Sequence, residues 1–448
     1  MDIEAKVLKS VSPTKAEEKR VYEFSEKLKS VSVSITKLPV EILGSTGKKT
    51  WLSGDHDIDV FIIFSKNVER EQLETRGIEF GKKIIEKMGS RPIIKYAEHP
   101  YVRSEIDGFD VDIVPCHKIN FNEKIKSAVD RSPLHVQYIN SKLDPSLRDQ
   151  VRLLKQFMKG TGVYGSDAKN LGFSGYLCEL LVINHGKFEA VIKKASEWQA
   201  QTVIYIEKKP VKKFKGCGLV IIDPVDSDRN AAAIVSNEKM QKFITACKNY
   251  MKNPSIEFFF PRDKPALIDK EISVLKNRET KFIALELKKP DIIDDIIYPQ
   301  ARRLCKRLEG ILRQEDFLTV RILSFINKNI IILIELESWH LPAIKKMQGP
   351  TIFSGNHVDE FVSKYYEFNP YIEDNAWFVE RPRTVVDVIE TLKNLRKSKN
   401  PAEHGIPSQL IDSVKEMKII ESDKFWELAE KDKEFSKFLR SVYFERIV

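Results

Sequence analysis

Residues 44–64 read GSTGKKTWLSGDHDIDVFIIF. The stretch ends in an unbroken apolar run, Val60 to Phe64, which predicts a strand buried on both faces. Asp57 and Asp59 open that strand two positions apart. Side chains alternate along a strand, so both carboxylates leave one face where a core strand reaches the surface. Gly44 permits close backbone approach, and Ser45 with the amides of a short following helix offers donors to phosphate oxygens. Lys48 adds a positive charge one turn on. Paired acids beside such donors suit Mg²⁺, which takes one or two carboxylates plus substrate phosphates.

Thr14 and Glu17 match a capping box ahead of Val21, Phe24 and Leu28, which share one helical face and predict a helix to about Leu28. Val31, Val33 and Ile35 alternate with polar residues and predict a strand, followed by a second at Val40–Leu43. After the acidic strand come a helix, Val68–Met88, and strands near Ile93–Ala97 and Tyr101–Ile106. Asp107-Gly108 signals a hairpin into Phe109–Val114. That last strand carries Asp110 and Asp112, which face the same way, and it can lie beside Asp57 and Asp59 to supply a third carboxylate.

From about Pro145 the pattern turns helical. Leu147, Val151, Leu154 and Met158 share a face, with Lys155 at its edge and Gly160 and Gly162 ending the element. Ser174 caps a second helix, Gly175–His185, closed by Gly186, and helices are expected to about Ile206. Lys208, Lys209, Lys212, Lys213 and Lys215 read as a solvated basic loop before a strand, Leu219–Ile222, which opens into DPVDSDRN at Asp223–Asn230. Beyond Pro254 the reading is mixed α+β. Strands fall near Phe282–Leu287, Leu318–Ile326 and Ile330–Glu335, and a helix carries the stripe Ala301, Leu304, Cys305, Leu308 and Ile311. Arg302, Arg303, Lys306 and Arg307 on its outer side, and Lys393, Arg396, Lys397 and Lys399 on a later helix, are candidate nucleic-acid backbone contacts.

The 448 residues suffice for about three domains. A net charge of +9 and a pI near 9.0 are compatible with a polyanionic partner. Five cysteines without short-spaced pairs indicate neither a zinc site nor a disulfide framework, and no apolar run approaches membrane-spanning length. A soluble cytoplasmic protein is expected.

Nucleotidyl transfer needs carboxylate-held Mg²⁺ ions to activate a hydroxyl and hold a triphosphate. A lone Asp-x-Asp also occurs as a pair of surface acids or in glycosyltransferases. The Gly-Ser ahead of it and a third acid on a strand favour the nucleotidyltransferase. His56-Asp57 enters a strand, unlike the helical His-Asp pairs of metal hydrolases, and His135 and Lys155 taken singly read as structural.

The set Leu43-Gly44-Ser45, Asp57-Ile58-Asp59 and Val111-Asp112-Ile113 resembles the DNA polymerase beta superfamily of nucleotidyltransferases. Within it, the chain resembles the archaeal class (class I) of CCA-adding enzymes, tRNA nucleotidyltransferases that build the CCA 3′ end. Also similar are KYAEHPYV at Lys95–Val102, VDIVPC at Val111–Cys116, KSAVDRSPLH at Lys126–His135, VRLLKQFMKGTGVYG, GFSGYLCELL and DPVDSDRNAAA. The resemblance implies an α+β multidomain fold: a nucleotidyltransferase catalytic domain with a mixed sheet (1–142), a mainly helical central domain (143–257) and an α+β tRNA-binding region (258–448). It places the metal acids on Asp57, Asp59 and Asp112 and nucleotide contacts on Ser45, His135, Lys155 and Tyr164, beside Gly44. Lys48 stands where the family often has an arginine, which keeps charge neutralisation but not bidentate phosphate geometry. Base reading falls on Arg229. Mg²⁺, CTP, ATP, the tRNA acceptor end and a homodimer are implied with them. The other functions weighed are a poly(A) or oligoadenylate polymerase on the same core and a non-catalytic RNA-binding protein.

Overall fold

The computed structural model describes residues 3–445 except 97–98, 122, 208–213, 215 and 264. The basic loop Lys208, Lys209, Lys212, Lys213 and Lys215 therefore lies outside the described residues. The chain forms two compact units, the first ending at Asp263 and the second at Glu445.

Five strands make the first sheet: β1 (Val40–Ile42), β2 (Asp57–Phe64), β3 (Ile93–Tyr96), β4 (Pro100–Ile106) and β5 (Phe109–His117), in the order β1-β2-β5-β4-β3. The sheet is mixed. β5 runs parallel to β2 and antiparallel to β4. Val60, Ile62, Val111 and Ile113 are fully buried, and Leu28, Ile84 and Ile85 of the helices Lys15–Thr36 and Arg70–Lys87 complete this core. Each such side chain contributes roughly 1.5–3 kcal/mol.

The helix Lys15–Thr36 begins with the expected capping box, Glu17 N–H donating to Thr14 Oγ1 at 3.2 Å and Thr14 N–H to Glu17 Oε2 at 2.8 Å. It runs past Leu28, and the strand expected at Val31–Ile35 is its last two turns. Phe24, Leu28, Val31 and Ile35 continue a helical stripe, and packing on the sheet overrides the β-branched alternation. Lys37, at φ 55°, ends it.

A second core in this unit joins helices Arg148–Gly160, Gly175–His185, Phe188–Ser196 and Asn237–Lys252 through Leu154, Phe157, Leu177, Leu181, Phe188 and Phe243. Val7 and Val11 of the N-terminal helix Ile3–Val11 also pack there. Helix does not continue to Ile206. Thr202–Ile204 is a strand parallel to Leu219–Asp223. DPVDSDRN contributes a strand of its own, Asp226–Asn230, which returns antiparallel to Leu219–Asp223.

In the second unit, four antiparallel strands lie in the order Thr319–Ile326, Asn329–Leu336, Lys281–Lys288, Lys418–Glu421. Strand alternation sends Ile283, Leu285 and Leu287 toward the helix Asp294–Gln314, and Phe282 and Ala284 toward Phe425, Trp426 and Phe435. Both faces are thereby covered. A separate three-stranded sheet joins Ile344–Thr351, Ala376–Pro382 and Tyr371–Glu373. Of the helix stripe expected here, Ile311 is only half-buried while Leu312 is fully buried. The five cysteines are free thiols, and no helix among the described residues is long and apolar enough to cross a membrane.

Candidate active site

The parallel register places Asp59 beside Asp112 and Asp57 beside Asp110. Asp110 is exposed, whereas Asp112 is half-buried and accepts from Arg103 Nε at 2.7 Å, Arg103 being its neighbour on β4. Burial first, then the charges of Asp112 and Asp57, push the Asp59 carboxyl up to about 6. Burial raises Asp112 as well, against the pull of Arg103.

The Gly-Ser turn is pinned to this strand. Leu43 N–H donates to Asp59 O at 2.9 Å and Thr46 Oγ1 to Asp57 O at 3.0 Å. Gly44 has φ +61°, and with half-buried Ser45 it opens the short helix Gly44–Lys48. Among the described residues no three carboxylate, imidazole or thiol groups form a ready-made metal cage. The donor set still fits a divalent ion of the Mg²⁺ kind, which needs only one or two carboxylates beside substrate phosphates. Crowded acids on one sheet face, their carboxyls raised by burial and by one another, are what such a charge relieves.

Lys48 and Lys155, far apart in sequence, converge on one residue that sequence reading did not single out. Glu179 is fully buried; its Oε2 pairs with Lys48 Nζ and its Oε1 accepts from Thr50 Oγ1. Lys155 Nζ donates to Thr50 O at 2.9 Å and lies 3.8 Å from Glu179 Oε1. Burial pushes the Lys155 ammonium below its ordinary range, with Glu179 opposing. Arg152, one turn before Lys155, holds Trp51 O at 3.0 Å and Lys49 O at 2.9 Å, so one helix fixes the whole segment between the Gly-Ser turn and β2. Tyr164 reaches the same place: a Cβ on Gly175 would meet its hydroxyl at 3.1 Å and Lys155 Nζ at 3.4 Å.

His135 and Arg229 are joined by another buried carboxylate, Asp223. Its Oδ2 lies 2.9 Å from His135 Nε2 and accepts from Arg229 at 2.7 Å; its Oδ1 accepts from the Tyr176 hydroxyl at 3.0 Å and Val225 N–H at 3.1 Å. Against its burial these donors hold the carboxyl at about 2. The partner of Arg229 is thus Asp223, while Asp226 takes Arg131 at 2.8 Å. Tyr176 links the two groups, stacking on His135 at 4.0 Å between centroids with Lys48 Nζ 5.6 Å from its ring. A cavity of about 740 Å³ opens beside Arg131, Ser174, Asp226, Asp228 and Arg229.

The candidates therefore fall into three neighbouring sets: Gly44, Ser45, Asp57, Asp59 and Asp112; Lys48, Lys155 and Tyr164; His135 and Arg229. The residues missed were Tyr176, Glu179 and Asp223. Tyr176 and Glu179 are three apart on one helix and share a face. A lone acid inside the apolar run Leu177–Val182 was a legible signal, since carboxylates are buried only when paired.

Residues 21–135 match the nucleotidyltransferase domain, 149–260 the second domain of tRNA nucleotidyltransferases, and 278–421 the C-terminal domain of CCA-adding enzymes. The CCA-adding enzyme of Methanosarcina mazei is 36% identical over 452 residues, 98% of this chain and 97% of its own. That of Archaeoglobus fulgidus is 34% identical over 95% of both chains, and that of Methanosarcina acetivorans 38% identical over 85% of this chain and 86% of its own.

Proposed function

The chain belongs to the CCA-adding enzymes, which are tRNA nucleotidyltransferases, and we propose that it completes tRNA 3′ ends with C, C and A taken from CTP and ATP, using Mg²⁺ on the face shared by Asp59 and Asp112. The register of those two acids is the observation that carries this reading. Nucleotidyltransferases use divalent ions; bound here, such an ion would neutralise the triphosphate and favour ionisation of the attacking hydroxyl. Asp57 and Asp59 would hold it, with Asp112 beside them.

The remaining roles belong to this chain's own groups. Ser45 and the amides behind Gly44 receive phosphate oxygens. Lys48 and Lys155 supply buried positive charge next to them, with Tyr164 packed at Lys155. His135 positions the sugar and Arg229 presents guanidinium donors to the base. In this reading residues 1–142 are the catalytic domain, 143–257 the central domain and 258–448 the tRNA-binding region, and the enzyme is a cytoplasmic homodimer.

Incubation with tRNA transcripts ending before CCA, with CTP and ATP alone and together, followed by sequencing of the ends, tests the function. Ordered CCA addition supports it. Untemplated runs of A would mean a poly(A) polymerase, and binding without extension a non-catalytic RNA-binding protein.

A further inference from the structure

We propose that Asp223 is a positioning residue that ties sugar selection to base selection, by holding His135 in one tautomer and Arg229 in one orientation. The proposal rests on the reading of the chain as a CCA-adding enzyme and adds to it a residue outside the nucleotide contacts. Asp223 is fully buried and receives four donors, two of them from His135 and Arg229. An ionised carboxylate can only accept. The proton shared with His135 is therefore on Nε2, which leaves Nδ1 with a lone pair able to accept from a hydroxyl. Burial lowers the His135 pKa against the pull of Asp223, which favours the neutral ring; the groups facing it are Asp223, Arg229, Lys48 and the stacked Tyr176.

The same carboxylate fixes one end of the Arg229 guanidinium, so the N–H groups left over point in a set direction for a base. A guanidinium has five donors, and one of them, on Nη1, goes to Asp223. Tyr176 closes the arrangement by donating to the other carboxylate oxygen while its ring packs on His135. Movement of Asp223 would therefore disturb the imidazole and the guanidinium together.

Asp223→Asn keeps the shape and changes the chemistry. Its amide can donate to Nε2, which moves the ring proton to Nδ1 and turns an acceptor into a donor. Incorporation onto a tRNA primer is measured for the four ribonucleotides and for the 2′-deoxy forms of CTP and ATP. The ribose-over-deoxyribose preference and the CTP/ATP-over-UTP preference should fall together, each on the order of tenfold, the upper end of what one net hydrogen bond is worth. tRNA affinity should stay unchanged. A fall in one preference alone, or an equal loss for every nucleotide, overturns the coupling.

The nitrogen chemical shifts of the His135 ring in the unmodified chain, assigned with His135→Gln, give a second reading that needs no folded Asp223 variant. Protonated Nε2 supports the proposal, and protonated Nδ1 overturns it. Failure of the unmodified chain to add C or A to tRNA would remove the functional reading while leaving the tautomer measurement intact.

Discussion

Gly44 and Asp59 touch so closely that a Cβ on the first would lie 1.8 Å from Oδ2 of the second. The turn and the acid strand are thus one construction. At φ +61° an L side chain also costs about 1–2 kcal/mol. Gly44→Ala should therefore lower stability by at least that amount and displace the Asp59 carboxylate. A shift of ~1 Å there should lower kcat on the order of a hundredfold. Urea unfolding and single-turnover extension of tRNA measure the two effects separately.

Asp112 and Asp110 should respond differently, because Asp112 is half-buried beside Asp59 and Asp110 is exposed beside Asp57. Asp112→Asn should cut kcat roughly a hundredfold or more with little change in nucleotide affinity, the pattern of a group needed in the transition state. Asp110→Asn should be mild. A larger loss for Asp110→Asn would mean that Asp110, not Asp112, is the acid of β5 that carries the chemistry.

Glu179→Ala would leave the buried Lys48 and Lys155 ammonium groups without a carboxylate. Breaking a buried pair in this way costs about 3–5 kcal/mol, so the urea midpoint should drop sharply. Glu179→Gln, which keeps the volume and one acceptor oxygen for Lys48 or Thr50, should cost less and still raise the KM for CTP and ATP. An unchanged KM in a folded Glu179→Gln enzyme would detach this carboxylate from triphosphate binding.

Acid stability has a predictable sign. The Asp223 carboxyl is held at about 2, below its ordinary 3.8. Its stabilising contribution is fully present above about pH 4 and is lost as the pH falls toward 2, a change on the order of 2 kcal/mol. The stability gap between the unmodified chain and Asp223→Asn should narrow across that window, read by denaturant unfolding at each pH.

In the second unit, Arg303 and Lys306 are exposed, while half-buried Arg307 donates to the carbonyl of His404. Charge reversal at Arg303 and Lys306 should weaken tRNA binding without altering nucleotide choice. Each lost phosphate contact should reduce the salt slope of binding by about 1. Identical affinity at several salt concentrations would make this a solvated helix face.

Period-two alternation was enough to put Asp57 and Asp59 on one face, and the apolar run behind them was enough to bury the strand. The Thr14–Glu17 capping box and the Ser174–Gly186 helix were legible for the same reason: each depends on residues within a turn or two. Val31, Val33 and Ile35 misled, because their alternation competes with a helical stripe that only the sheet beneath makes decisive. Only the parallel register of β2 and β5 set Asp112, and not Asp110, beside Asp59. The buried carboxylates depended most on tertiary structure. Glu179 meets Lys48 across 131 positions and Asp223 meets His135 across 88. Local pattern specifies which way a side chain points, but a buried charge is defined by its partner, and partners that distant in sequence meet only when the chain packs.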